Sequence, residues 1–241
     1  MLPPSRVAVI IPALNEAHTI GSVVDQVRQL GCTVYVVDDN SQDDTYSMAM
    51  AAGAEVLRLP YTAGAWMAVQ AGLRHASQRA EHECFITMDG DGQHEPQYIP
   101  DLIREYEREK SNTLIGSCPQ RGSRSRKFAW RLFARLTGLG IVDLTSGFRL
   151  YDLKALDVLL SDEGTMLDYQ DVGVLLLLRR KGLVCREHAI GMCERVCGHS
   201  RIFDSWLDVG RYMIKTFVWI FVDWLTGREQ RLQEQDGHDA F

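Results

Sequence analysis

Residues 85–96 read FITMDGDGQHEP, an apolar run that passes straight into two aspartates separated by one glycine. Phe85, Ile86 and Met88 have the character of a buried strand end, and Pro96 suits the first turn of a following helix. Asp89 and Asp91 are therefore expected at the mouth of a sheet, where α/β proteins bind ligands. Two like charges this close repel each other unless a cation or a ligand's positive group lies between them. An isolated Asp-Gly-Asp is more simply an acidic turn with its charges in water. The neighbouring sequence decides between the two.

Upstream, strand and helix patterns alternate. The apolar periodicity predicts strands at 7–11, 33–37 and 55–59, and helices at 16–30, from Asp43 or Asp44, and at 65–79. Asn15 reads as the N-cap of the first helix and Gly31 as its stop. Such an order predicts an α/β domain with a mostly parallel central sheet and helices on both faces. The strand ends at Pro12, Asp38 and Asp89 should then share one edge. Downstream, residues 96–110 read as a helix, with a short strand near Leu114.

The chain has 241 residues and a net charge of -6, enough for one large domain or a domain with an appendage, and arguing against generic nucleic-acid binding. VAVIIPALNE, at residues 7–16, is broken by Pro12 and suits a strand better than a secretory segment. No uncharged apolar run of about 18 residues exists, so no membrane-spanning helix is expected. Cysteines 32, 84, 118, 185, 193 and 197 read as reduced thiols in the cytosol. Cys193, Cys197 and His199 do not have the spacing of a zinc site, and a structural role is preferred.

Residues 111–142 carry no acidic side chain but hold Arg121, Arg124, Arg126, Lys127, Arg131 and Arg135. A solvated basic face and a contact for an anion such as phosphate or a lipid headgroup explain this equally well. Residues 206–225 read as an apolar helix interrupted by Asp208, Arg211, Lys215 and Asp223. It could pack on the domain, form a homodimer contact, or lie in the membrane interface with Trp206, Trp219 and Trp224 at headgroup depth. The expected organisation is a catalytic domain at 1–202, an amphipathic helix at 203–226 and a polar, frayed tail at 227–241.

Four segments carry a resemblance: IIPALNE (10–16), VVDDNSQDDT (36–45), MDGDGQHEP (88–96) and DLTSGFRLYD (143–152). In this order, each beside a strand, they resemble the family 2 glycosyltransferases. The resemblance spans about residues 6–202 and is greatest to the polyprenyl-phosphate sugar transferases. It implies a Rossmann-like nucleotide-diphospho-sugar transferase domain of the A type. Its donor would be a nucleotide-diphospho-sugar, its acceptor a polyprenyl phosphate, and its place the cytosolic face of a membrane. Mg²⁺ or Mn²⁺ would be the cofactor, since hard oxygen ligands select such ions and substrate phosphates complete their shell.

By the same resemblance, Asp89 and Asp91 are the metal and diphosphate carboxylates, and Gln93 is a further ligand or sugar contact. Pro12, Leu14, Asn15 and Glu16 match the first nucleotide-binding loop, Asp39 the residue that contacts base or ribose, and Gly64 the loop before the third helix. Relatives place a lysine where this chain has Ala65 or Trp66, so donor identity could differ. No G-x-G-x-x-G follows the first strand, which disfavours a dinucleotide site. The absence of Q-x-x-R-W argues against a processive polysaccharide synthase.

A phosphate monoester, with a second pKa of about 6, is already an oxyanion at neutral pH and needs placement more than a base. Arg121, Arg131 and Arg195, with Ser200, are the expected phosphate contacts. Arg195, Gly198, Ser200 and Arg201 match the family's R-x-x-G-x-S-Lys/Arg pattern. Asp168 and Asp171 occupy the region of an acidic residue near the reaction centre. Asp171 is the preferred base if the acceptor is an alcohol. Arg149 could be structural or catalytic. A rival of another class is a non-catalytic nucleotide-sugar-binding partner protein.

Overall fold

The computed structural model describes residues 2–121, 132–135, 137–167, 169–192 and 217–218. Its first half alternates β1 (Val7–Ala13), α1 (Ile20–Gln29), β2 (Thr33–Asp38), α2 (Thr45–Ala51), β3 (Glu55–Arg58), α3 (Ala65–Ser77) and β4 (Cys84–Thr87). A short 3-10 turn at Pro96–Tyr98 leads into α4 (Ile99–Glu109) and then β5 (Thr113–Ser117). Beyond residue 148 come β6 (Arg149–Asp152), α5 (Leu153–Leu159), α6 (Asp162–Thr165), α7 (Val172–Arg180) and β7 (Cys185–Ala189).

The seven strands form one sheet in the order β3-β2-β1-β4-β6-β5-β7. β1 runs parallel to both β2 and β4, β2 to β3, and β5 to β7, while β6 is antiparallel to β4 and β5. β1 is central and covered on both faces, which explains its nearly unbroken apolar run. Its alternate side chains divide the core. Val7, Val9 and Ile11 pack with Ile20, Val24, Ile99 and Leu102 of α1 and α4. Ala8 and Ile10 pack with Trp66 and Leu73 of α3, Leu156 of α5 and Leu178 of α7. Gly72 lets α3 close on the sheet, since a Cβ there would lie 2.6 Å from Ile10 Cγ2 and 2.8 Å from Val37 Cγ2.

The expected parallel sheet with helices on both faces is present. One local expectation fails. Asn15 does not cap the first helix: it is left-handed, with φ 51°, and the helix starts at Ile20 behind Thr19. The reason is a competing set of partners, because residues 15–17 bond to the loop after β2 instead of turning into a helix. Gly31, with φ 86°, stops that helix as expected.

A third cluster of Phe133, Ile141, Leu144, Val172, Leu175 and Leu176 closes the β5 side of the molecule. Phe217 sets its ring edge-on to Phe133 with centroids 5.3 Å apart, so this point of the C-terminal segment touches the domain. The rest of 206–225, the tail and the Cys193, Cys197 and His199 group lie outside the described residues. Among those described, Cys32, Cys84, Cys118 and Cys185 are free thiols. No described helix is long and apolar enough to cross a membrane.

Candidate active site

The register Ala13↔Asp38 and Ile10↔Thr87 brings the ends of β1, β2 and β4 to one edge of the sheet. Three loops leave that edge and are tied to one another. Asn15 donates its N–H to Ser41 Oγ at 2.9 Å and accepts the Gln42 N–H on Oδ1 at 2.8 Å. Glu16 donates its N–H to Thr45 Oγ1 at 2.8 Å, and Ala17 to Asp43 Oδ2 at 3.2 Å. Burial alone would raise the Asp43 carboxyl pKa; hydrogen bonds from Thr45 and the Ala17 amide outweigh it and lower the value. Thr19 joins the first loop to the acidic turn by donating its hydroxyl to the Gly90 carbonyl at 2.7 Å.

Asp38 and Asp39 differ in task. Asp38 is fully buried; it accepts the Ser41 N–H at 3.0 Å and pairs with Arg58, whose Nε lies 3.3 Å away. Arg58 also donates to the Ser41 carbonyl and lies over the Tyr46 ring. This pair holds the second loop. Asp39 instead reaches across to the loop before α3, accepting the Ala63 N–H at 2.7 Å and the Gly64 N–H at 2.9 Å on separate oxygens. Gly64 has φ 95°, a conformation that favours glycine. Trp66 is buried, with its Nε1 donating to the Gly164 carbonyl at 3.2 Å. It belongs to the packing of α3 on α6.

In the acidic turn, Asp89 is half-exposed, with a side-chain exposure of 47%, while Asp91 is buried and accepts the Gln93 N–H on Oδ1 at 3.0 Å. Gly92 makes the turn at φ 77°. The Asp89 N–H donates to Nδ1 of His94 at 3.0 Å, so that nitrogen bears no proton in this arrangement. The same nitrogen is 3.5 Å from Asp89 Oδ2, a proximity and not an ion pair, because it is already an acceptor. His94 is fully buried, its ring tilted against Phe148.

Phe148 belongs to the 143–148 turn, which lies against the acidic turn through Phe148 on His94 and Gly147 beside Asp89. Arg149 is fully buried and donates Nε to the Ser146 carbonyl at 2.7 Å and Nη2 to the Leu144 carbonyl at 2.8 Å. Among the described residues no carboxylate pairs with it, and its geometry is that of a clamp on the turn. Asp143 accepts the Cys118 N–H at 3.2 Å. Thr87 donates its hydroxyl to the Gly147 carbonyl at 2.8 Å, and Gln170 Nε2 donates to Thr87 Oγ1 at 2.6 Å and the Tyr151 hydroxyl at 2.7 Å. Asp171 accepts the Gly173 N–H at 3.1 Å as the N-cap of α7.

The structure thus gathers Pro12, at the end of β1, with Leu14, Asn15, Glu16, Asp39, Gly64, Asp89, Asp91 and Gln93 of the loops at one sheet edge. Asp171 follows Gln170, which touches the end of β4. Arg131, Asp168, Arg195, Ser200 and the side chain of Arg121 lie outside the described residues. Three participants were not expected from sequence: His94, Gly147 and Gln170. His94 and Gly147 lie inside the quoted motifs, but nothing local reveals what they face.

The carboxylate chemistry fits a hard divalent cation. Asp89 presents oxygen to the edge, and a glycine, Gly147, lies against it where a side chain would crowd it. Among the described residues, no cluster of three or more His, Cys, Asp or Glu side chains could hold a metal. A cation on this pair would need substrate oxygens to complete its shell, the usual manner of Mg²⁺.

Comparisons with known proteins agree with the arrangement. The family model for glycosyl transferase family 2 matches residues 8–160. The undecaprenyl-phosphate mannosyltransferase of Micrococcus luteus is 33% identical over 175 residues, covering 64% of this chain and 70% of that protein. The polyprenol monophosphomannose synthase of Mycolicibacterium smegmatis is 30% identical over 173 residues, covering 64% of each. Glucosyl-3-phosphoglycerate synthase from Mycobacterium tuberculosis, solved with Mn²⁺, uridine diphosphate and phosphoglyceric acid, superposes with a TM-score of 0.70. It is 24% identical and covers 89% of this chain and 78% of its own, a likeness of fold. The A-type glycosyltransferase architecture expected from the motifs is the one observed.

Proposed function

The chain belongs to glycosyltransferase family 2, and from that premise we propose that it transfers a sugar from a nucleotide-diphospho-sugar to a polyprenyl phosphate, with a divalent cation on Asp89 and Asp91. The observation that carries the reading is the carboxylate pair at the sheet edge, with half-exposed Asp89 set against Gly147 and buried Asp91 held by the turn. Mg²⁺ or Mn²⁺ bound there would supply charge neutralisation for the departing diphosphate. Asp39 and Gly64 shape the pocket for the nucleoside by fixing the loop before α3, and Gln93 lies beside the pair to contact the sugar or the cation. The acceptor phosphate attacks as its own oxyanion, with inversion at the anomeric carbon. Arg121, Arg131, Arg195 and Ser200 are assigned to hold it.

The acceptor class is supported by the names of the two bacterial relatives, both polyprenyl-phosphate or polyprenol enzymes. An acceptor of that kind resides in a membrane, and a peripheral contact through the C-terminal segment or a homodimer formed by it completes the proposal. A second reading, an alcohol acceptor with Asp171 as base, draws on the position of Asp171 beside Gln170, whose side chain reaches β4.

The test is a transfer assay with radiolabelled GDP- and UDP-sugars, undecaprenyl and dolichyl phosphates, and Mn²⁺ or EDTA. Label should enter the lipid phase with at least one donor, and only with the metal. Transfer undiminished by EDTA would remove the cation from the proposal, and transfer confined to alcohol acceptors would replace the lipid phosphate.

A further inference from the structure

We propose that Gly147 is the positioning residue of Asp89, and that the buried Arg149 guanidinium makes it so by locking the turn that carries Gly147. This rests on the reading of Asp89 as a cation ligand. A Cβ built on Gly147 would meet Asp89 Oδ1 at 3.0 Å, Oδ2 at 3.4 Å and Cγ at 3.5 Å. All three nearest atoms therefore belong to one carboxylate group. Gly147 does not have the left-handed φ that would by itself require glycine. The backbone accepts any residue there, and the missing side chain serves the space beside Asp89.

Something must give if that space is filled, and the turn is the less able to do so. Arg149 holds the carbonyls of Leu144 and Ser146, and Thr87 holds that of Gly147. Gln170 secures Thr87 in turn. On the other side, His94 fixes the backbone N–H of Asp89 from a fully buried position. The soft coordinate left is the Asp89 side-chain torsion. An added methyl group is accommodated by rotation of the carboxylate away from the turn, at little cost in stability and at the expense of its aim. Groups that orient a ligand without touching the metal typically change affinity by about 10- to 100-fold.

The experiment measures Mn²⁺ binding in the presence of UDP or GDP by electron paramagnetic resonance and calorimetry. It compares wild type, Gly147→Ala, Asp89→Ala and the double variant, with a thermal melt of each. Gly147→Ala should weaken Mn²⁺–nucleotide binding by about tenfold or more while its melting temperature without ligand stays near wild type. In the Asp89→Ala background the same substitution should change nothing further, since the group it displaces is gone. Arg149→Lys, which cannot span both carbonyls as the planar fork does, should weaken binding in the same direction. If wild type binds Mn²⁺ and nucleotide but Gly147→Ala binds equally well, Gly147 has no positioning role and the cation site stands. If Asp89→Ala itself leaves binding intact, the cation reading falls and this inference with it. A loss in Gly147→Ala that persists in the Asp89→Ala background would overturn the inference by showing that another group carries the effect.

Discussion

The carboxylate of Asp39 accepts the N–H of Gly64 at 2.9 Å, joining the end of β2 to the start of α3 at the sheet edge. Its other oxygen takes the Ala63 N–H, so one nearly buried side chain holds two consecutive amides of a loop that bears the exposed Tyr61. Asp39→Asn keeps the shape but offers one acceptor oxygen and turns an NH₂ group toward an N–H. Hydrogen bonds to charged groups contribute about 1.5–3 kcal/mol, and this replacement should release the loop at a cost of that order. Faster proteolysis within residues 59–64 and weaker nucleotide binding are expected, with the circular dichroism spectrum unchanged. Unaltered cleavage and affinity would show that the two bonds are dispensable.

Asp91 lies deeper than Asp89 and already has one oxygen engaged by the Gln93 N–H. Asp91→Asn can keep that acceptor while losing the charge, whereas Asp91→Ala loses both. Both should abolish Mn²⁺-dependent binding of UDP or GDP, and Asp91→Ala should in addition lower stability by about 1 kcal/mol for the lost turn bond. Calorimetry with and without Mn²⁺ and urea unfolding separate the two effects. Mn²⁺-dependent affinity retained by Asp91→Asn would place the charge requirement elsewhere.

How much of this was legible in the sequence follows from the range of the interactions involved. β1, β2, α3 and β4 announce themselves through apolar period and turn residues, which are local signals, and their order dictates that Pro12, Asp38 and Asp89 share an edge. Asn15 misled because its cap chemistry is local, while the partners that win it, Ser41 and Gln42, are 26 and 27 residues away. Trp66 looked like a substituted donor contact until Gly164, 98 residues on, accounted for it. β6 escaped notice for a similar reason. Arg149 in FRLY reads equally as structural or catalytic, and nothing local chooses between the two; it is fully buried and donates to two carbonyls of its own turn. The acidic and loop residues of the candidate site stand inside the motifs; the long-range bonds that hold them do not.

Two buried thiols give the fold a defined alkaline limit. Burial raises the Cys32 pKa from 9.0 to about 11 and the Cys84 pKa from 9.0 to about 12. The folded state therefore keeps both protons over a range where the unfolded chain has released them. Stability from this source is fully present below pH 9.0 and is lost as pH rises from there towards the folded values. The slope is roughly 1.4 kcal/mol per pH unit for each thiol. Urea midpoints should stay level up to that pH and then fall. In native protein at pH 8, iodoacetamide should leave Cys32 and Cys84 unmodified, as mapped by mass spectrometry. Prompt alkylation of either would contradict its burial.

Asp171 has two separable tasks, and one substitution pair tells them apart. Its carboxylate caps α7 through the Gly173 N–H, and the apolar face of that helix, with Val174 and Leu178, packs on the sheet. Asparagine caps helices about as well as aspartate, while alanine costs about 1 kcal/mol. Asp171→Asn should therefore melt close to wild type and Asp171→Ala lower. Asparagine cannot accept a proton from an alcohol, so a base at this position would be lost equally in both variants. With a polyprenyl phosphate acceptor, which brings its own oxyanion, Asp171→Asn should keep most of its turnover, and Asp171→Ala should lose activity only in proportion to its lower stability. Rates measured well below both melting temperatures make the comparison clean. With an alcohol acceptor that the wild type turns over, a fall of about a hundredfold or more in both variants, the scale of a lost general base, would assign the proton-accepting role to Asp171.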